Sequence, residues 1–512
     1  MGISSNQTPE EMQDSRRRFL HHLIAGGTAL TAAATLPAVA QQSTDAATAP
    51  APAVAAESST PSGSIAETLA LFARTLKYED LPADVVRTIK RTVLDTLGCA
   101  IGGYQAIPSR IALKLTTDVT SKQGATVFCS GTRTSHDLAV FANGVMIRNL
   151  DFNDAYSTPV GGGHPSDALA ALLSSAEVAE RNGKDLILAM AITYEVFCKT
   201  SDVLDIKGLG IDQSTVLGLA TVVGAGWLMG LSQEQMVNAI GITVGGNTAI
   251  NQGRVGTLSN WKDYATAEAS RKAIFSTQLA HAGMTGPQHI FEGPAGFFHV
   301  ITRKSFELPK LGEPFGIMRA FTKRFPLGQY SQTVAEAASQ IRPFFKTTDD
   351  IQEVNISVSH NAIRVMAGSP DKWRPTSHET ADHSMPYAAA VVLMYGMIDD
   401  RYYENSYLYD PRLLALVDRV HCIASTEADQ HEKDFNMCDF EIVLKSGLRK
   451  SIRVEYHRGH WKNPMSDEEL EGKFRLLASR HLQPKRIDAL LDKLRNLEAL
   501  PKAGVLAAMT KV

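Results

Sequence analysis

The chain has 512 residues, is 44% hydrophobic and 21% charged, and carries a net charge of −3. Length alone allows two or three domains at about 150 residues each. No stretch is basic enough to neutralise a run of phosphates, which argues against a nucleic-acid partner, and no apolar run in the body reaches the ~18 uncharged residues of a membrane-spanning helix.

Near its start the chain carries Ser15-Arg16-Arg17-Arg18-Phe19-Leu20, a close match to the twin-arginine export pattern. An Ala/Gly/Thr-rich apolar stretch runs from Leu23 to Ala40 and ends Ala38-Val39-Ala40, the small-x-small pattern a signal peptidase accepts. Residues 1–40 are therefore expected to be a twin-arginine signal peptide, the protein to be exported (periplasmic), and the remainder to have no membrane association. Residues 41–64 are rich in Ala, Pro, Ser and Thr and read as a flexible linker.

From Ile65 the pattern becomes helical. Apolar residues recur at three- and four-residue spacing, as in Val86-Ile89-Val93-Leu97 and Ala168-Leu172-Ala176-Ala179. The helix predicted over Val216–Leu228 is rich in small residues, which suits close helix packing. This helical region is assigned to residues 65–315. An α+β region, 316–455, follows. Glu353–Val358 alternates as a strand, helices are predicted over Val334–Ile341 and Met385–Met397, and Cys438–Leu444 with Arg449–Val454 reads as a hairpin turning at Gly447. Residues 456–512 turn helical again, with Ser466-x-x-Glu469 as a capping box, and are expected to return to the first domain.

The five cysteines, Cys99, Cys129, Cys198, Cys422 and Cys438, form no C-x-x-C pair. They read as small apolar fillers, and no nucleotide-binding glycine motif is present. No cofactor or metal is expected.

Several segments, taken in order, resemble the MmgE/PrpD family, which includes 2-methylcitrate dehydratase and cis-aconitate decarboxylase. They are Asp95-Thr96-Leu97-Gly98-Cys99; Asn143-Gly144 through Asp151-Phe152-Asn153-Asp154 to His164-Pro165-Ser166; Trp261-Lys262 and then Gly283-Met284-Thr285-Gly286-Pro287; Thr380-Ala381-Asp382-His383-Ser384-Met385-Pro386-Tyr387; and Gly459-His460 with Asn463-Pro464-Met465-Ser466. The resemblance implies a mostly α fold, with a large all-helical domain, a smaller α+β lid, the active site between them, and a homodimer. It implies a cofactor-independent lyase, a dehydratase or hydratase acting on a small hydroxy di- or tricarboxylic acid. The alternatives are an isomerase, epimerase or decarboxylase on a related acid, or an exported carboxylate-binding protein without catalysis.

Eliminating water from such an acid needs a base beside a carboxylate, cations to hold carboxylates, and stabilisation of the enolate-like charge. An iron–sulfur cluster would need clustered cysteines, so His, Asp, Lys and Tyr are what the sequence offers. Asp151 and His164 sit on a glycine-containing loop (Gly161 to Gly163) that could equally be a plain turn. The resemblance makes them the acid/base candidates. His164 has an ordinary pKa of about 6.5, suited to proton transfer near neutrality. By the same resemblance Lys262 takes an active-site lysine's position and Lys323 a carboxylate-binding one. Tyr387 would contact substrate or relay a proton, or act only as a structural donor. His383, four residues earlier, is expected to bind substrate from a shared helix face, or else to cap the helix.

The pattern also departs from the decarboxylases. Ala155 replaces a Thr, Gly208-Leu209-Gly210 carries no His, Lys262-Asp263-Tyr264-Ala265 lacks a Lys-x-x-His, and Gly328 replaces a lid His. These departures favour dehydration over decarboxylation, with Arg271, Arg254, Asp263 and Tyr264 as substitute groups and Arg271 expected to bind substrate.

Overall fold

The computed structural model describes residues 63–432 and 436–512. The expected signal peptide lies outside the described residues, as does the expected linker apart from Gly63 and Ser64. Ser64 caps α1 (Ile65–Thr75) in a reciprocal box with Glu67.

The larger domain is helical. After α1 come α2 (Ala83–Gly102), α3 (Ile107–Thr116), α4 (His136–Arg148), α5 (Leu169–Val178), α6 (Gly183–Val203), α7 (Ser214–Leu228), α8 (Gln233–Gly246) and α9 (Trp261–His281). Two short antiparallel ladders interrupt them, β1 (Ala125–Thr126) with β2 (Arg133–Thr134), and β3 (Tyr156–Ser157) with β4 (Gly162–Gly163). Helix α7 is buried on nearly every face, as its run of apolar and small residues requires. It packs against α6 and α9. Gly224 allows the close approach to α6, because a Cβ there would stand 2.0 Å from Thr193 Oγ1. No described helix is long and apolar enough to cross a membrane.

The smaller domain is α+β. Its sheet has the order β6-β5-β7-β8, formed by β5 (Ile351–Val358), β6 (Val420–Ala424), β7 (Cys438–Leu444) and β8 (Arg449–Val454). Strand β6 is parallel to β5, while β7 is antiparallel to both β5 and β8. The β7–β8 hairpin turns at Gly447, whose φ of 85° is the left-handed conformation glycine adopts most readily. Helices α10 (Gln332–Ile341), α11 (His360–Met366), α12 (His378–Ala381) and α13 (Met385–Tyr395) belong to this domain. Helix α13 ends at Gly396, φ 80°.

The chain then re-enters the helical domain with α14 (Asp467–Ala478) and α15 (Pro484–Arg495). The box between Ser466 and Glu469 forms at the start of α14. Phe474, Leu490 and Leu494 of these helices share one apolar core with Ile89, Val93 and Leu97 of α2. A second core, centred on Val354, Ile356, Tyr387 and Phe440, belongs to the smaller domain. The protein is thus a large helical domain joined to a smaller α+β domain. All five cysteines are unpaired, and all but Cys422 are buried.

Candidate active site

The two domains meet around Asp151, which follows the C-terminus of α4 with a φ of 47° and is fully buried. Left-handed backbone at a non-glycine residue is a strain that surrounding contacts must hold, and here the contacts are ionic. Arg148 Nη1, one turn earlier, lies 2.5 Å from Oδ1 of Asp151. Lys323 Nζ, from the segment that enters the smaller domain, lies 2.5 Å from the same oxygen and donates to the Asp151 carbonyl at 3.0 Å. Lys262, in the first turn of α9, places Nζ 4.0 Å from Oδ2 and pairs directly with Asp382. Burial alone would raise the Asp151 pKa, but Arg148, Lys323, Lys262 and His383 together hold it well below the usual carboxylate range.

Two histidines flank this carboxylate, one from each domain. His164 Nε2 lies 3.9 Å from Asp151 Oδ1. Its Nδ1 is 2.6 Å from the carbonyl oxygen of Asp154. A carbonyl only accepts, so Nδ1 carries the proton and Nε2 keeps a lone pair. Burial, reinforced by Arg148 and Lys323, pushes the His164 pKa well below its usual value. The ring is held from behind as well, since its backbone N–H donates to Gln213 Oε1 at 2.6 Å. Gly163 makes that approach possible, because a Cβ there would fall 1.7 Å from the same oxygen.

His383 places Nδ1 2.5 Å from Oδ1 of Asp382 and 3.5 Å from Oδ2 of Asp151. Burial raises the Asp382 pKa, but Lys262 and His383 outweigh it and keep the group ionised. The Asp382 carboxylate therefore accepts from His383 Nδ1–H, and His383 also keeps a free Nε2. Burial lowers the His383 pKa to about 4. The Lys323 pKa is lowered by burial to about 8, with Asp151 opposing the shift and Arg148 adding to it.

Both histidines and Arg148 line a cavity of about 430 Å³. Lys207, Arg254, Arg364 and Lys372 line it too, against a single carboxylate, Asp212. Asp212 is already paired with Arg254 Nε at 2.9 Å. Among the described residues, Arg254 Nη2 has no hydrogen-bond acceptor, and Arg148 Nε has only the Asp167 carboxylate at 3.8 Å, beyond hydrogen-bond length. Buried donors are seldom left unpaired, so an anionic guest suits these two.

The site residues expected from sequence thus divide. Asp151, His164, Lys262, Lys323 and His383 converge, and Arg254 lies on the cavity wall. Asp151, Lys262 and Lys323 are fully buried behind that wall, where they position and charge the groups that face it. Asp151 was expected to carry protons; ion-paired and held far below neutrality, it fits an electrostatic anchor better.

Tyr387 does not join the cluster. Its hydroxyl donates to the Tyr402 carbonyl at 2.5 Å inside the smaller domain's core. Helix α13 begins only at Met385, capped by Ser384, so His383 lies before the helix and four-residue spacing does not align it with Tyr387. Arg271 is also elsewhere, bound to Glu268 at 2.7 Å and to Asp137 at 3.3 Å. It lies nine residues beyond Lys262 on α9, which at 3.6 residues per turn is the opposite face. Asp263 stands 3.7 Å from Lys262 Nζ, with its pKa raised by burial to about 7. Tyr264 donates to the Pro108 carbonyl at 2.7 Å.

Sequence reasoning gave no role to Arg148 or Asp382. Arg148 could have been found three residues before Asp151, the spacing of a helical ion pair. Asp382 carries no such local signal, since its partner Lys262 is 120 residues away. Asp151, Asp382 and His383 also place three possible metal-ligand atoms within 4.8 Å of one another. Lys262, Lys323 and Arg148 already put positive charge against those carboxylates, which opposes a divalent ion.

Residues 67–309 match the MmgE/PrpD N-terminal domain and residues 325–497 the MmgE/PrpD C-terminal domain. Human cis-aconitate decarboxylase is 27% identical over 473 residues, covering 88% of this chain and 95% of that protein. The 2-methylcitrate dehydratase of Escherichia coli K12 is 27% identical over 463 residues, covering 83% of this chain and 93% of the enzyme. That of Cupriavidus necator is 26% identical over 469 residues, with 83% and 93% coverage. The chain belongs to the MmgE/PrpD family and is a lyase of that dehydratase/decarboxylase type.

Proposed function

We propose that the protein dehydrates, or in reverse hydrates, a small hydroxy di- or tricarboxylic acid of the 2-methylcitrate type. One observation carries this reading. Two imidazoles from different domains, each with Nδ1 tethered and Nε2 free, share a cavity lined by five Arg and Lys residues. The cations bind the carboxylates and stabilise the enolate-like charge. Neutral His164 removes the proton beside a carboxylate. A bound polyanion next to His383 raises that ring's proton affinity, so the Asp382-backed imidazole enters the reaction charged and delivers its proton to the departing hydroxyl. Water leaves and an alkene remains.

A panel of citrate, 2-methylcitrate, malate, tartrate and their unsaturated products, followed by absorbance of the alkene, tests the reading. Turnover of at least one hydroxy acid is expected, and it should survive dialysis against a chelator. Binding without turnover across the whole panel would favour a carboxylate-binding protein instead. We also infer twin-arginine export, supported by the arginine–apolar–small-residue order of residues 15–40. Replacing Arg16 and Arg17 with Lys should retain the protein in the cytoplasm. A homodimer is supported by the exposed stripe Ile107, Ile111 and Leu115 on α3 and by exposed Trp261 of α9. Sedimentation of the purified protein tests it.

A further inference from the structure

The cavity has a second character that a citrate-like acid leaves unused. Ile206, Ile211, Val255, Tyr330, Val365 and Met366 line it alongside the cations. Met366 is fully buried, and Ile206 and Ile211 nearly so. The apolar wall reaches the reacting groups. A Cβ at Gly328 would stand 2.8 Å from Met366 Cε and 3.2 Å from His383 Cδ2, so the thioether closes against the glycine directly beside the imidazole. Gly328 has φ −50° and ψ 144°, a conformation open to any residue. Space for Met366 and His383, and not backbone geometry, is what keeps a side chain out of this position. Methionine is the apolar residue best able to mould itself to a variable guest.

A substrate made only of carboxylates, hydroxyl and a methyl group would leave exposed Val255 and half-buried Val365 of this wall facing water. Resting on the proposed polycarboxylate reading of the same site, we infer that the natural substrate carries an apolar arm longer than methyl. The carboxylates would sit among Arg148, Arg254, Arg364 and Lys372, and an unbranched alkyl arm against Met366, Val365, Ile206 and Ile211. The cavity's 430 Å³ falls within the range of about 300–1,000 Å³ that accommodates ligands larger than a simple citrate.

The test uses two homologous series on the purified full-length protein. In the first, kcat/KM is measured for 2-alkylcitrates from methyl to hexyl. In the second, affinity is measured calorimetrically for 2-alkyltricarballylates, which lack the hydroxyl and cannot be dehydrated. Each buried methylene should improve both quantities about fourfold until the wall is covered, and Val365→Asp should flatten both slopes. Flat or falling values with chain length, in both series, would overturn the inference while leaving methylcitrate dehydration standing. Rising affinity with no turnover of any alkylcitrate would support the apolar arm and refute the dehydratase reading.

Discussion

Lys473 Nζ, on the helix that returns from the smaller domain, donates to the backbone carbonyl of Lys323 at 2.9 Å. The same ammonium donates to the Phe152 carbonyl at 2.7 Å, pairs with Asp95 at 2.7 Å, and lies 3.9 Å from the centre of the Phe152 ring. Its three donors are thereby used to fix the backbone of Lys323 and that of the residue after Asp151. Lys473 reads as a positioning residue for the ion pair between them. Lys473→Met alone should lower stability by roughly 3–5 kcal/mol, because Asp95 is left buried and unpaired. Combining it with Asp95→Asn should restore most of the stability. Turnover should stay ~10–100-fold low in the double variant, since both carbonyls are still unheld. Recovery of kcat together with Tm would mean the pair is only structural.

Asp151 and His164 should separate by what each loses. His164→Ala removes a cavity-facing base and should reduce kcat more than ~100-fold with little change in Tm. Asp151→Asn should cost a similar factor in kcat and also roughly 3–5 kcal/mol of stability, because Arg148 and Lys323 lose their shared carboxylate. Thermal melts beside steady-state rates check both.

The pH dependence follows from histidines buried neutral. Burial lowers His383 and His136 to about 4 and His457 to about 3. In the unfolded chain each titrates near 6.5. Below that pH the unfolded state takes protons the folded state refuses, so stability is lost as pH falls from about 6.5 towards 4. Tm should fall steadily across this window, and His383→Gln should make the fall shallower. Activity should have its alkaline limit near pH 8, where Lys323 loses its charge, and Lys323→Arg should move that limit upward. An alkaline limit that Lys323→Arg leaves in place would assign it to another group.

Tyr387→Phe should leave kcat within about twofold and cost about 1 kcal/mol, the usual worth of one buried hydrogen bond. A large fall in kcat with Tm unchanged would return Tyr387 to the reaction.

How much was legible in sequence depended on whether a feature is local. The β7–β8 hairpin and the Ser466–Glu469 cap are written in neighbouring residues, and they were read to the residue. His164 and Lys262 are unremarkable in isolation; only the family resemblance marked them, and folding then brought them together. Tyr387 takes its expected role from the family resemblance alone, and the fold places its hydroxyl in the smaller domain's core; the four-residue spacing to His383 fails because the helix starts between them. Arg271 carried no geometric argument, and the helical period places it away from Lys262. Asp382 is invisible as a site group because its pairing with Lys262 exists only once the two domains meet.

The central claim is proton removal by His164 coupled to loss of hydroxide assisted by His383. It is tested most directly by proton NMR of 2-methylcitrate and its longer alkyl homologues with the protein in deuterated water. The account predicts growth of an alkene signal that is absent with His164→Ala and with His383→Ala. Deuterium entering recovered substrate without any alkene, or undiminished alkene formation in both variants, would contradict it.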